Sequence, residues 1–143
     1  MRKQILAAVD EHDHSARVME NAIMLAKAVS GKIVIIYVVE KGKVPSKFVD
    51  IHGDSIPDHY YLDEYHRTVD ALEEEIHKEG IEHEGVCGVG DPRELILRTA
   101  KKRGVDYIVM GFHEYRGLSR LKAIGEATRG VMEKATVPVL AVP

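Results

Sequence analysis

The sequence predicts an α/β protein in which strands and helices alternate around a mainly parallel sheet. Two observations predict it. Short apolar runs without polar alternation, such as IVIIYVV at residues 33–39, suit strands buried on both faces, which a parallel sheet covered by helices requires. Between these runs lie stretches whose apolar residues recur at spacings of three and four, the helical period. A chain of 143 residues is expected to form one domain over 1–143, since a domain near this size buries roughly 68–70% of its unfolded surface.

The elements follow in order. ILAAV at 5–9 is too short for a helix and reads as a buried strand. Over 15–29, Met19, Ile23, Ala26 and Val29 form one helical stripe, with Val18, Ala22 and Leu25 beside it. Ser15 is the expected N-cap, and Gly31 stands where that helix should stop. The second strand, 33–39, precedes a long loop over 40–57 that carries Gly42, Pro45, Gly53 and Pro57. Leu62, Tyr65, Val69, Leu72 and Ile76 then mark an amphipathic helix ending at Gly80. Residues 81–89 alternate weakly around Gly85 and Gly88, as an edge strand does. Asp91-Pro92-Arg93-Glu94 is a compact helix start: Asp91 caps, Pro92 suits the first helical position, and Glu94 sits three after the cap. That helix runs to Arg103 and stops at Gly104. A strand over 107–110 ends at Gly111, a loop continues through Arg120, a helix covers 126–134, and a strand over 139–142 closes the alternation.

Alternation of this kind implies right-handed crossovers. Ligands in such sheets bind beyond the carboxyl ends of the strands, where strand order reverses, so the loops at 10–14 and 111–125 are the expected functional region.

Composition removes several function classes. Lys and Arg number 20 against 23 Asp and Glu, so the chain lacks the basic excess of a general nucleic-acid binder. One cysteine, Cys87, makes no internal disulfide, and its place on a strand suggests a small core residue. No apolar run reaches the roughly 18 residues of a membrane span. The start, Met1-Arg2-Lys3-Gln4 before a short apolar run, lacks the length of a signal peptide, which makes a cytoplasmic protein the expectation.

Motifs narrow the field further. GxxxxGK[ST], GxGxxG and GxSxG are all missing. The GVG at 88–90 reads as a strand-to-helix turn with a close backbone approach. His12 and His14 flank Asp13, and His52, His59 and His66 lie in or near the long loop, but without metal-ligand spacing they read as surface histidines. The loop Gly111-Phe112-His113-Glu114-Tyr115-Arg116-Gly117, continuing to Gly125-Glu126-Ala127-Thr128, says more. Its glycines allow backbone to approach a ligand, and amides at the last helix's start suit an anion. Arg116, Arg120, Lys122 and Arg129 add positive charge, while the Glu126 carboxylate competes for the same helix start. Asp10, at the mouth of the first strand, suits a ribose hydroxyl, a base edge, proton abstraction, or simply capping of its own turn.

With these residues in place the chain resembles the universal stress protein family along essentially its full length. Asp10-Glu11-His12-Asp13-His14-Ser15 is similar to the family's opening D-G-S-E-H-S turn. Gly90-Asp91-Pro92, Glu94-Leu95-Ile96, Ala100, Asp106 and Tyr107-Ile108-Val109-Met110-Gly111 resemble its most specific block. Val137-Pro138-Val139-Leu140-Ala141-Val142 resembles its closing strand. The resemblance implies a three-layer α/β/α sandwich of the adenine nucleotide alpha hydrolase-like type, with a five-stranded parallel sheet in order 3-2-1-4-5. It also implies a homodimer paired through the C-terminal strand, Val137 to Val142.

The resemblance further implies an adenine-nucleotide site at Ala8, Val9, Asp10, Val38, Met110, Gly111, His113, Gly125, Glu126, Ala127 and Thr128, for ATP with Mg or for AMP. Asp10 and Val38 match ribose- and adenine-contacting positions, and Thr128 a phosphate-side hydroxyl. The family's glycine pattern is degenerate here. Gly111 matches its first glycine, Glu114 replaces the second, Gly125 matches the third after a one-residue insertion, and Glu126 replaces the following Ser or Thr. Two readings stay open: a stress-response homodimer with a weak or altered nucleotide site, and a non-nucleotide dimer acting through protein partners. Catalytic residues and metal ligands are not assigned, and slow ATP hydrolysis is the most chemistry expected.

Overall fold

The computed structural model describes residues 2–9, 14–39, 58–112 and 124–143. The elements alternate as β1 (Gln4–Val9), α1 (His14–Val29), β2 (Lys32–Val39), α2 (Asp58–Lys78), β3 (His83–Val89), α3 (Pro92–Arg103), β4 (Tyr107–Gly111), α4 (Glu126–Lys134) and β5 (Val139–Val142). The strands form one five-stranded sheet in order β3-β2-β1-β4-β5, and every pairing is parallel. The sheet therefore grows outward in both directions from β1, as the resemblance implied.

Strand residues alternate between two cores because successive side chains leave opposite faces. Ile5, Ala7 and Val9 of β1, with Ile33, Ile35 and Tyr37 of β2, pack against Val18, Met19, Ala22 and Ala26 of α1 and Val69, Leu72 and Ile76 of α2. Leu6, Val34, Ile36, Ile108 and Met110 face the other way, onto Ile96 and Ala100 of α3 and Val131 of α4. The result is three layers, helices on both faces of the sheet, which is why β2 reads as a continuous apolar run. Truncating one of these fully buried isoleucines to alanine would cost about 2–5 kcal/mol.

Two local expectations are corrected. Helix α1 begins at His14, so Ser15 lies inside the first turn rather than at the cap, and it is buried. Helix α1 stops just before Gly31, as expected, and the left-handed residue there is Ser30, at φ 53°. Gly31 serves closeness instead: a Cβ there would stand 3.0 Å from the Lys3 carbonyl oxygen and 3.1 Å from Ile5 Cδ1. Cys87 is exposed, on β3 at the edge of the sheet, and is not a core residue. Partial loss of water around the thiol still raises its pKa. The predicted loop at 40–57 lies outside the described residues.

Helix α3 follows its sequence signals closely. The Asp91 carboxylate accepts a hydrogen bond from the Arg93 amide at 2.9 Å, Pro92 opens the helix, and Gly104 closes it at φ 63°. The expected turn before it is also present: Gly90 has φ 150°, and a Cβ on Gly88 would lie 3.2 Å from Leu95 Cδ1. A glycine at 88 thus lets α3 settle on the edge strand.

Candidate functional site

The site region is the carboxyl end of the sheet between β1 and β4, where the direction of strand addition reverses. Pairing of β1 with β2 continues to Val9–Tyr37, whereas pairing of β1 with β4 runs from Ile5–Tyr107 only to Ala7–Val109. Both strands continue beyond that last pair, to Val9 and Gly111. The ladder between them thus ends before either strand does, and this top of the sheet is where a crevice is expected.

Several expected residues converge on one side of this crevice. Ala8, Val38 and Ala127 pack against the same cluster as buried Met110, on the face covered by α3 and α4. Val9 points to the opposite face, into the core beneath α1, and is 4% exposed. It contributes backbone to the crevice rim rather than a side-chain wall. Asp10 and His113 lie outside the described residues, as does the rest of the loop over 113–123.

The start of α4 is tied to the end of β4. The Gly125 amide donates to the Phe112 carbonyl at 3.0 Å, and the Phe112 amide donates to the Val142 carbonyl at 2.7 Å. Thr128, only 3% exposed, donates its hydroxyl proton to the Gly111 carbonyl at 2.6 Å. That bond positions the helix start beside the glycine rim. It also leaves the Thr128 hydroxyl able only to accept a further hydrogen bond, whereas a phosphate oxygen needs a donor.

Gly125 caps α4 with extended backbone and no side-chain hydrogen bond. A helix of this kind carries partial positive charge at its first-turn amides, where anions are favoured by about 0.3–1 kcal/mol at an exposed site. Glu126 is exposed and brings a carboxylate to that same end.

Sequence reasoning missed Arg93. Its guanidinium Nη2 and Nε lie 3.1 and 3.3 Å from the Asp91 carboxylate oxygens. Its aliphatic stem lies across α4 at Gly130, where a Cβ would stand 2.3 Å from Arg93 Cδ. The hydrogen bond from Arg93 holds the Asp91 carboxyl below its usual range. In return the Asp91 bond, then its charge, strengthens the protonated guanidinium, and Glu126 adds attraction from α4. One signal was available: a glycine inside a nine-residue helix costs stability unless something approaches closely there.

Among the described residues, no group of three or more His, Cys, Asp or Glu side chains converges as a metal site, and no helix is long and apolar enough to cross a membrane.

Comparison with known proteins agrees with this fold. The model of the universal stress protein family matches residues 1–143. Universal stress protein YxiE of Bacillus subtilis is 29% identical over 152 residues, spanning 99% of each chain. The solved structure of MJ0577 superimposes with a TM-score of 0.81 at 23% identity, covering 99% of this chain and 96% of that one. A universal stress protein of Archaeoglobus fulgidus, solved in complex with dAMP, gives a TM-score of 0.66 at 21% identity, covering 100% and 98%. A full-length family match, on a sheet that reverses its order at β1 as the motifs implied, identifies the chain as a member of the universal stress protein family.

Proposed function

We propose that the protein is a homodimeric stress-response protein of the cytoplasm that binds an adenine nucleotide weakly, with a preference for AMP over ATP. The observation that carries this reading is the early end of the β1–β4 ladder beside a helix start capped only by glycine, with Ala8, Val38, Met110 and Ala127 gathered on one face of the sheet. Apolar side chains there suit the adenine ring. Asp10 is the expected ribose partner, and His113 is a further expected contact. The backbone of Gly111, Gly125, Glu126 and Ala127 suits the phosphate nearest the sugar. A relative solved with dAMP supports a monophosphate ligand for this kind of crevice.

The phosphate side argues against ATP. The Thr128 hydroxyl already donates to Gly111, and Glu126 places negative charge where outer phosphates would come, so each added phosphate meets repulsion. Equilibrium dialysis against AMP, ADP and ATP, each with and without Mg, tests the reading. Binding in the order AMP, ADP, ATP supports it. Tight, Mg-dependent ATP binding would overturn the preference. No binding at millimolar nucleotide would leave the other reading, a dimer working through protein partners alone.

The dimer is proposed to pair through Val137 to Val142. β5 is an edge strand whose apolar Leu140 is 40% exposed in the single chain, and Met132 of α4 is exposed as well. Unpaired apolar edges invite association, and a two-fold pairing of this strand with its copy closes that edge.

A further inference from the structure

The glutamate at the start of α4 presents a conflict, because it stands in the position where an anion would bind. We propose that Arg93 resolves it: lying across α4 at Gly130, it counter-charges Glu126, and so raises the crevice's preference for a ligand with a phosphate group over an uncharged nucleoside. This rests on the nucleotide reading above and adds a residue to it.

Residues four apart on a helix stack on one face, so Glu126 and Gly130 share the side of α4 that Arg93 crosses. Arg93 reaches that side from α3 only because position 130 has no Cβ; a methyl there would overlap its Cδ at 2.3 Å and its Cγ at 2.9 Å. At the other end Asp91 fixes the guanidinium with two hydrogen bonds. The stem is therefore held between the α3 cap and the α4 glycine, one helical turn from Glu126. Neither Arg93 nor Gly130 matches the glycine loop through which the chain resembles its family. Arg93 is a positioning residue in this scheme, acting on the ligand through Glu126.

Dialysis of adenosine and AMP against wild type and variants tests it, with the AMP-to-adenosine affinity ratio as the readout. Arg93→Gln should lower that ratio about twofold to fivefold, the scale of an exposed charge pair, with the effect shrinking at high salt. Arg93→Lys should restore most of it, because the charge returns. Gly130→Ala, which displaces the stem without removing charge, should mimic Arg93→Gln and provides a second route should that variant fold poorly. In a Glu126→Gln background Arg93→Gln should have no effect on the ratio. An unchanged ratio in both Arg93→Gln and Gly130→Ala overturns the proposal. So does an equal loss in the Glu126→Gln background, which would mean that Arg93 meets phosphate directly. Failure of the wild type to bind either adenosine or AMP would instead refute the nucleotide reading, and this inference with it.

Discussion

Replacing Thr128 with valine probes the join between fold and site. The two side chains have nearly the same shape, so the substitution removes one hydroxyl and little packing. What is lost is the 2.6 Å bond to the Gly111 carbonyl, made by a side chain only 3% exposed. Stranding a buried acceptor costs roughly 1–3 kcal/mol. Gly111 itself is half-buried, so water can partly replace the lost donor, and about 1–2 kcal/mol is the expected loss. At this chain length each kcal/mol corresponds to roughly 3–5 °C in melting temperature. Urea denaturation monitored by circular dichroism would check it, with the midpoint falling and the slope unchanged. Thr128→Ala should lose the hydrogen bond and a methyl contact, and so be less stable still. Wild-type stability in Thr128→Val, with a loss only in Thr128→Ala, would refute the reasoning, because the methyl and not the hydroxyl would then hold α4 to β4. AMP affinity should fall alongside stability, since the same bond sets the helix start against the glycine rim.

Two further perturbations test other parts of the structure. Asp91→Ala should cost about 1 kcal/mol at neutral pH through loss of the α3 cap, while Asp91→Asn should retain most of the stability. The folded-state pKa of Asp91 is lowered, so its contribution is complete above the ordinary carboxylate value of about 3.9 and fades as pH falls through the lower folded value. The gap between wild type and Asp91→Ala should accordingly narrow in acid, and a gap independent of pH would count against the charged cap. Leu140→Glu places charge on the exposed edge of β5 and should yield monomers in sedimentation equilibrium; an intact dimer would rule out pairing through this strand.

Individual elements show where sequence reasoning succeeds. Apolar runs and helical spacings locate the described strands and helices to within a few residues, because burial on one or both faces is written directly in residue order. Asp91, Pro92 and Gly104 mark α3 because capping is a matter of neighbouring residues. Ser30 escapes the same logic: a neighbouring glycine was available for the left-handed turn, but β1 needed that glycine's empty space. Cys87 shows the complementary failure, since a place on a strand does not by itself bury a side chain.

The sequence by itself determined the order of elements, the parallel sheet and, through its motifs, the family. Local periodicity and caps carry that information within a turn or two of chain. Only the tertiary structure decided that Thr128 is committed to Gly111 and that Arg93 lies on Gly130. Those contacts join residues 17 and 37 positions apart, and no spacing rule connects them. They depend on how α3 and α4 settle side by side on one face of the sheet, and that packing is set by the whole core at once.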